Sequence, residues 1–230
     1  MKRLLIFLLI VTCFSYGLYK LKYRTYRWNQ RLNLTVTTPF GDKSGSSVVE
    51  VTHWFHPNIP IDAGVRNSRR RGEAVVVDLG KNRFLFAMMD SDDLIAEAFG
   101  DQLPELRYSQ NNLKRYFRAI KRLTGTVVVP VQGLPTLVTF SDFDDPSSVM
   151  LVDPNNLAAA FGEGYALSEA TLEITKDPVT KDLVENALPE SFFEYLSKIH
   201  QEALKRGLED PYFSSTLFEV ISNRQSFILN

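Results

Sequence analysis

The stretch Glu73 to Met89, EAVVVDLGKNRFLFAMM, decides the fold class. Two runs rich in β-branched and aromatic residues, Glu73 to Leu79 and Arg83 to Met89, flank Gly80-Lys81-Asn82. That short loop supplies the residue types that accept positive φ, which a tight reversal needs, so the stretch predicts an antiparallel hairpin. Upstream, Leu32, Leu34 and Val36 alternate with Asn33, Thr35 and Thr37 before Pro39-Phe40-Gly41-Asp42 breaks the run. This predicts a strand and turn, with Ser46 to Phe55 as the returning strand. His56 to Gly72, with two prolines and an arginine cluster, reads as irregular.

Downstream of the hairpin, Asp90 or Ser91 can cap a short helix with Asp92 and Asp93 in its first turn and Leu94, Ile95, Ala98 and Phe99 on its apolar side. Ser109 to Leu123 has the pattern of a longer amphipathic helix, with Leu113, Tyr116, Phe117, Ile120 and Leu123 on one stripe and Gly125 past its end. Strands are expected at Thr126 to Val131, Thr136 to Phe140, Val149 to Val152 and Ala170 to Thr175. Asp153-Pro154 and Asp210-Pro211 each suit a helix start, predicting helices over Asn155 to Phe161 and Tyr212 to Ser222. Another begins at Pro189, buries Phe192, Leu196, Ile199 and Ala203, and stops at Gly207. The expected fold is α+β: a mainly antiparallel, meander-like sheet of about eight strands with inserted helices and a C-terminal helical pair, preceded by one N-terminal transmembrane or signal helix. The division is 1–24 for the N-terminal segment, 25–189 for the domain and 190–230 for a helical extension.

Leu4 to Tyr19 carries no charge, and its heart is Leu4, Leu5, Ile6, Phe7, Leu8, Leu9, Ile10 and Val11. As a helix these roughly 16 residues span about 24 Å, slightly short of a bilayer core. Lys20 and Lys22 can snorkel, and Tyr16, Tyr19, Tyr23 and Trp28 suit an interface. An uncleaved signal anchor is the expectation. The alternatives are a cleaved signal peptide ending at Ser15-Tyr16-Gly17, a lipoprotein modified at Cys13, the chain's one cysteine, and a buried helix. The basic residues behind the segment argue for a cytoplasm-facing domain, whereas an N-terminal signal of this kind exports the domain behind it; the extracytoplasmic side is favoured.

Charge is divided along the chain. Of 26 Lys and Arg, seven lie in residues 1–31, which hold no acid, so the remainder sets 19 basic residues against 27 acidic ones. A body near −8 argues against nucleic-acid binding and suits a domain held off an anionic surface.

Several blocks carry a resemblance. Thr38 to Gly41, Ser44 to Val51, Arg71 to Gly80, Leu137 through Val152-Asp153-Pro154 to Phe161-Gly162, and Glu173 to Thr175 with Pro178 to Thr180 together resemble a family of uncharacterised, short-membrane-anchored bacterial proteins. The likeness covers roughly residues 20 to 189, and members of that family finish near the position of Pro189. No activity or site comes with it.

Chemistry-bearing motifs are sparse. His53 and His56, three apart on a strand, point to opposite faces, and His200 lies on the flank of a helix stripe. The aspartates at 90, 92 and 93 and at 142, 144 and 145 lack calcium-loop spacing and suit capping and turns. Gly41 to Gly45 lacks the order of a phosphate loop, Gly162-Glu163-Gly164 lacks a third glycine, and no nucleophile elbow or paired metalloprotease histidines occur. Neither metal nor cofactor is expected. Two basic features stand out against the acidic body: a loop cluster of Arg66, Arg69, Arg70 and Arg71, and the outward side of the Ser109 helix with Lys114, Arg115, Arg118, Lys121 and Arg122. They suit contact with anionic lipid, cell-wall polymer or an acidic protein partner, or else a solvated face. The expected function is a membrane-anchored envelope protein acting as a non-enzymatic binding or scaffolding module. The alternatives are an envelope hydrolase using His53 or His56 with nearby acids, and a cytoplasm-facing membrane-associated module.

Overall fold

The computed structural model describes residues 2–22, 24–54, 67–91, 94–107, 109–142, 145, 148–195 and 228–229. In chain order its elements are helix α1 (Lys2–Lys22), strands β1 (Tyr26–Thr37), β2 (Lys43–Trp54), β3 (Asn67–Glu73), β4 (Val75–Gly80) and β5 (Arg83–Ala87), helices α2 (Leu94–Phe99) and α3 (Gln110–Ile120), strands β6 (Thr126–Val128), β7 (Leu137–Phe140) and β8 (Val149–Leu151), helix α4 (Ala158–Phe161), strand β9 (Ala166–Thr175), helix α5 (Leu183–Ala187) and strand β10 (Ile228–Leu229). Every pairing is antiparallel. The chain is therefore α+β on antiparallel sheet.

A six-stranded sheet runs in the order β10-β3-β2-β1-β9-β6. Its centre is β1, where strict alternation turns Tyr26, Trp28, Gln30, Leu32, Leu34 and Val36 into the core and leaves Arg27, Asn29, Arg31, Asn33 and Thr35 on the other face. The outer face is held by charge pairs: Arg31 with Glu173 (2.5 Å) and with Asp177, and Arg27 with Glu50 (3.5 Å). A second sheet, β4-β5-β7-β8, lies against the inner face of the first. The hairpin joining β4 to β5 turns at Lys81 and Asn82, both at positive φ, as expected for a tight reversal.

The second sheet is buried on both faces. Val75, Val77, Leu79, Leu85 and Ala87 join the main core, whereas Ala74, Val76, Phe86 and Met88 face a smaller cluster with Val138, Val184, Leu188 and Phe192. Rings in that cluster meet edge to face, Phe86 on Phe140 at 5.8 Å and Phe140 on Phe192 at 5.5 Å. Gly45 lets the two sheets approach, and Gly72 lets β3 pass close to its neighbour β2. A Cβ on Gly45 would lie 2.0 Å from the Val76 carbonyl oxygen, and Gly72, at φ +143°, turns the chain from β3 toward β4 with room for no side chain beside Val48 and Val49.

The segment after β9 is tied across both sheets. Val48 N–H donates to Thr180 Oγ1 (2.8 Å) and Thr180 N–H donates back to the Val48 carbonyl (3.0 Å). The buried Glu73 carboxylate accepts from the backbone N–H groups of Asp182 (2.6 Å), Leu183 (2.6 Å) and Val184 (2.9 Å), satisfying the free donors at the start of α5.

Several expectations are corrected. There are ten strands among the described residues, in two sheets, not a meander of about eight. The stretch read as irregular contains β3, because the edge of β2 supplies ladder partners from Glu50↔Arg71 to Trp54↔Asn67. Strand β6 stops at Val128, ahead of Pro130 and a 3-10 turn at Val131–Gly133. Helix α4 begins only at Ala158, since Asp153 closes a local turn by accepting from Asn155 N–H (2.9 Å). Asp90 accepts from Thr136 N–H (3.1 Å) and Ser91 Oγ donates to the Gly133 carbonyl (3.4 Å), so both tie α2 to the following strands. Residues 190–195 are helical. The expected helix over Tyr212 to Ser222, together with His56, Arg66, Asp92, Asp93, Asp144 and His200, lies outside the described residues. Within the extension, Ile228–Leu229 form β10, paired with the end of β3 at Gly72 and Glu73.

Helix α1 exposes its described side chains on all sides, from Ile6 (59%) and Phe7 (61%) through Leu9 (65%) and Phe14 (68%). Among the described residues no helix is long and apolar enough to cross a membrane.

Candidate functional site

Helix α3 positions one wall of a cleft. Ser109 accepts from Asn112 N–H at its start, and the predicted stripe of Leu113, Tyr116, Phe117, Ile120 and Leu123 is buried against β1. Phe117 meets Tyr26 (5.5 Å) and stacks on His53 (4.5 Å, 15° between planes), which in turn stacks on Trp28 (5.4 Å, 19°). His53 thus occupies an aromatic column. His56 lies outside the described residues, and no group of three or more His, Cys, Asp or Glu side chains able to hold a metal occurs among the described ones.

Between that column, β3 and α2 lies a cavity of about 110 Å³, which shares the lining residues Gln30, Arg70, Ser91 and Leu94 with a smaller space of about 30 Å³. Its apolar wall is formed by Val51, Leu94, Ile95 and Ile120, and its polar side by Gln30, Ser68, Arg70 and Ser91. Gln30 is 8% exposed, and its Oε1 accepts from Trp28 Nε1–H at 3.1 Å. Its amide N–H₂ has no hydrogen-bond partner among the described residues and is not sealed off, so it borders the cavity. Burial lowers the Arg70 pKa from the usual guanidinium value, and the nearby Asp90 carboxylate acts in the opposite direction.

Period-2 geometry divides the arginine cluster. Arg70 is paired with Val51 and shares its inward face, whereas Arg69 and Arg71, paired with Thr52 and Glu50, are exposed on the outer face. The expectation of one loop patch formed by Arg69, Arg70 and Arg71 is therefore corrected: they sit on a strand and serve two sides of the sheet. Arg118, Lys121 and Arg122 are exposed and Lys114 is half-buried on α3, which packs on the inner face. The helix and Arg69 with Arg71 are on opposite sides of the sheet. No family model, curated protein or solved structure matches the chain.

The side chains of Leu4 and Leu5 are not described, and Ile6, Phe7, Leu8, Leu9, Ile10 and Val11 are exposed on α1. The sequence reading missed Gln30, Ser68 and Ser91. The available signal was a polar residue at Gln30, in register with the inward-facing Trp28 and Leu32.

Proposed function

We propose that the protein is a membrane-tethered, non-enzymatic binding module: α1 enters or lies in a bilayer, and the α+β domain presents its cleft beside it on the extracytoplasmic side. The observation that carries this reading is the exposure of large apolar side chains around α1, since a contiguous apolar surface of that kind in water is strongly unfavourable. The test is flotation of the full chain with lipid vesicles. The native chain should float, and Leu8→Lys with Leu9→Lys should leave it in the dense fraction with the domain folded. Flotation unchanged by both lysines would overturn the tether. A reporter active only outside the cytoplasm, fused after Asn230, reads the side.

Geometry also favours a second contact. Only three residues separate α1 from Tyr26, which packs on Phe117 of α3, so chain connectivity keeps the basic side of α3 near the tether. Arg118, Lys121 and Arg122 then face anionic headgroups, each such charge contributing about 1 kcal/mol. Changing Arg118 and Lys121 to Glu should weaken flotation with anionic vesicles, and the difference should vanish with zwitterionic ones. Equal flotation on both lipids would leave these residues as a solvated face.

A further inference from the structure

We propose that the outer edge of β3 is a strand-acceptor site for an extended peptide with consecutive apolar residues, and that the chain's own Ile228–Leu229 segment occupies it as an internal ligand. The site is a backbone edge, separate from the cleft and independent of the tether.

In the order β10-β3-β2-β1-β9-β6, β3 is the edge of the six-stranded sheet once β10 leaves it. One side of β3 is used by β2, from Trp54↔Asn67 to Glu50↔Arg71. On the other side β10 meets only Glu73 and Gly72, through Ile228 and Leu229, and no further ladder partner occurs there among the described residues. Such an edge presents backbone N–H and C=O groups that pair with an incoming strand whatever its origin. The end that β10 meets is held rigidly from behind. The Glu73 carboxylate caps α5, its carbonyl accepts from Ser47 Oγ (2.7 Å), and Gly72 is packed closely on Val48 and Val49. A template fixed in this way loses little freedom when a strand is added to it.

The register names the occupant. Phe227-Ile228-Leu229 is a run of large apolar residues of high strand propensity, and Ile228 and Leu229 are the two that pair. Gly72 offers no side chain at the register position opposite Leu229, so the site admits a large apolar residue there. Two residue pairs supply little affinity by themselves. The segment stays because it belongs to the same chain, which gives it a high effective concentration at the edge. A peptide from outside must compete with that, so the edge is closed in the resting chain and opens to a partner strand when Ile228–Leu229 is released.

The test uses the full chain in detergent micelles and a fluorescent peptide of residues 222–230, followed by anisotropy. Successive N–H groups on a strand point to opposite sides, so one of the two amides at Ile228 and Leu229 faces β3 in either phase. Both are therefore altered together, by N-methylation in a control peptide and by Ile228→Pro with Leu229→Pro in the chain. A chain ending at Gln225 is the second variant and removes the occupant without proline. The native chain should bind the peptide weakly, and both variants should bind it about ten-fold or more tightly, because the internal competitor is gone. Neither should bind the N-methylated peptide, which enters micelles as readily but cannot pair. Amide exchange at Gly72 and Glu73 should accelerate in the variants and slow again when the peptide is added. The proposal is overturned if plain and N-methylated peptides bind alike, if release of Ile228–Leu229 does not tighten binding, or if the peptide binds without slowing exchange at residues 72 and 73. It is also overturned if neither variant folds, since Ile228–Leu229 is then an obligatory strand and not a ligand.

Discussion

Gly45→Ala is expected to destabilise the domain by about 3 kcal/mol, the upper range for forcing a methyl group into a packed interior. The added Cβ would fall 2.0 Å from the Val76 carbonyl oxygen and 2.8 Å from its carbonyl carbon, both backbone atoms of β4. A flexible side chain could swing aside. Backbone in the middle of β4 cannot, because Val76 is paired with Phe86 and its neighbours Val75 and Val77 are locked in the main core. Relief therefore requires β2 and β4 to separate, which loosens the contact between the two sheets along its length. In a chain of this size the loss should lower Tm by roughly 6–12 °C. The control is Gly100→Ala, where an added Cβ meets nothing within 4 Å and φ is not positive. That variant should remain within about 0.5 kcal/mol of the native chain, as surface substitutions do. Chemical denaturation of both variants decides the matter, and similar midpoints for the two would show that the sheets do not meet at Gly45.

How far the fold was legible depends on whether its information is local. The β4–β5 hairpin was readable because Gly80, Lys81 and Asn82 all take positive φ, so the turn chemistry sits beside the strands it joins. The same holds for the Leu32–Thr37 half of β1 and for α3, whose stripe is its buried side, but not for the start of β1, where Trp28, read as a membrane-interface aromatic, is buried in the core. Strand β3 was not readable. Ser68 to Gly72 has no apolar alternation, and it is a strand because β2 presents ladder partners to it. Once it is a strand, the separation of Arg70 from Arg69 and Arg71 follows from parity alone, and with it the polar side of the cleft. The two-sheet arrangement was hidden for a related reason: a run apolar at every position, such as Val75 to Val77, does not say whether one or both faces will be covered. Residues 178–195 complete the second core from a distance in sequence that no local pattern spans. The apolar nature of α1 was plain from its composition, and its chemistry was fully local.

Glu73→Ala is expected to cost about 3 kcal/mol, because it removes a charged acceptor shared by three backbone donors and leaves them inside the protein. Glu73 is 5% exposed, and the residue next to it, Gly72, takes a backbone conformation that aims the following residue from the first sheet toward the second. Its partners at Asp182, Leu183 and Val184 lie more than a hundred residues further along the chain. The carboxylate also lies at the N-terminus of α5, where negative charge is favoured by the free N–H groups. Loss of this cap should act locally first. Val184 and Leu188 of the α5 segment, with Phe192 beyond it, form one side of the smaller core, so release of α5 exposes Phe86 and Phe140 on the other. Amide exchange should therefore accelerate at Asp182, Leu183 and Val184 and along residues 185–195 more than in β1 or β9, which belong to the main core. Glu73→Gln keeps one acceptor oxygen of the same shape and should cost less, about 1–2 kcal/mol, by weakening rather than abolishing the cap. If Glu73→Ala leaves both the denaturation midpoint and exchange at residues 182–184 unchanged, the second core is held by its apolar contacts alone and the cap adds nothing. If the loss is large but exchange rises equally in β1 and α5, the two cores unfold as one unit, and Glu73 acts as the fastening between them.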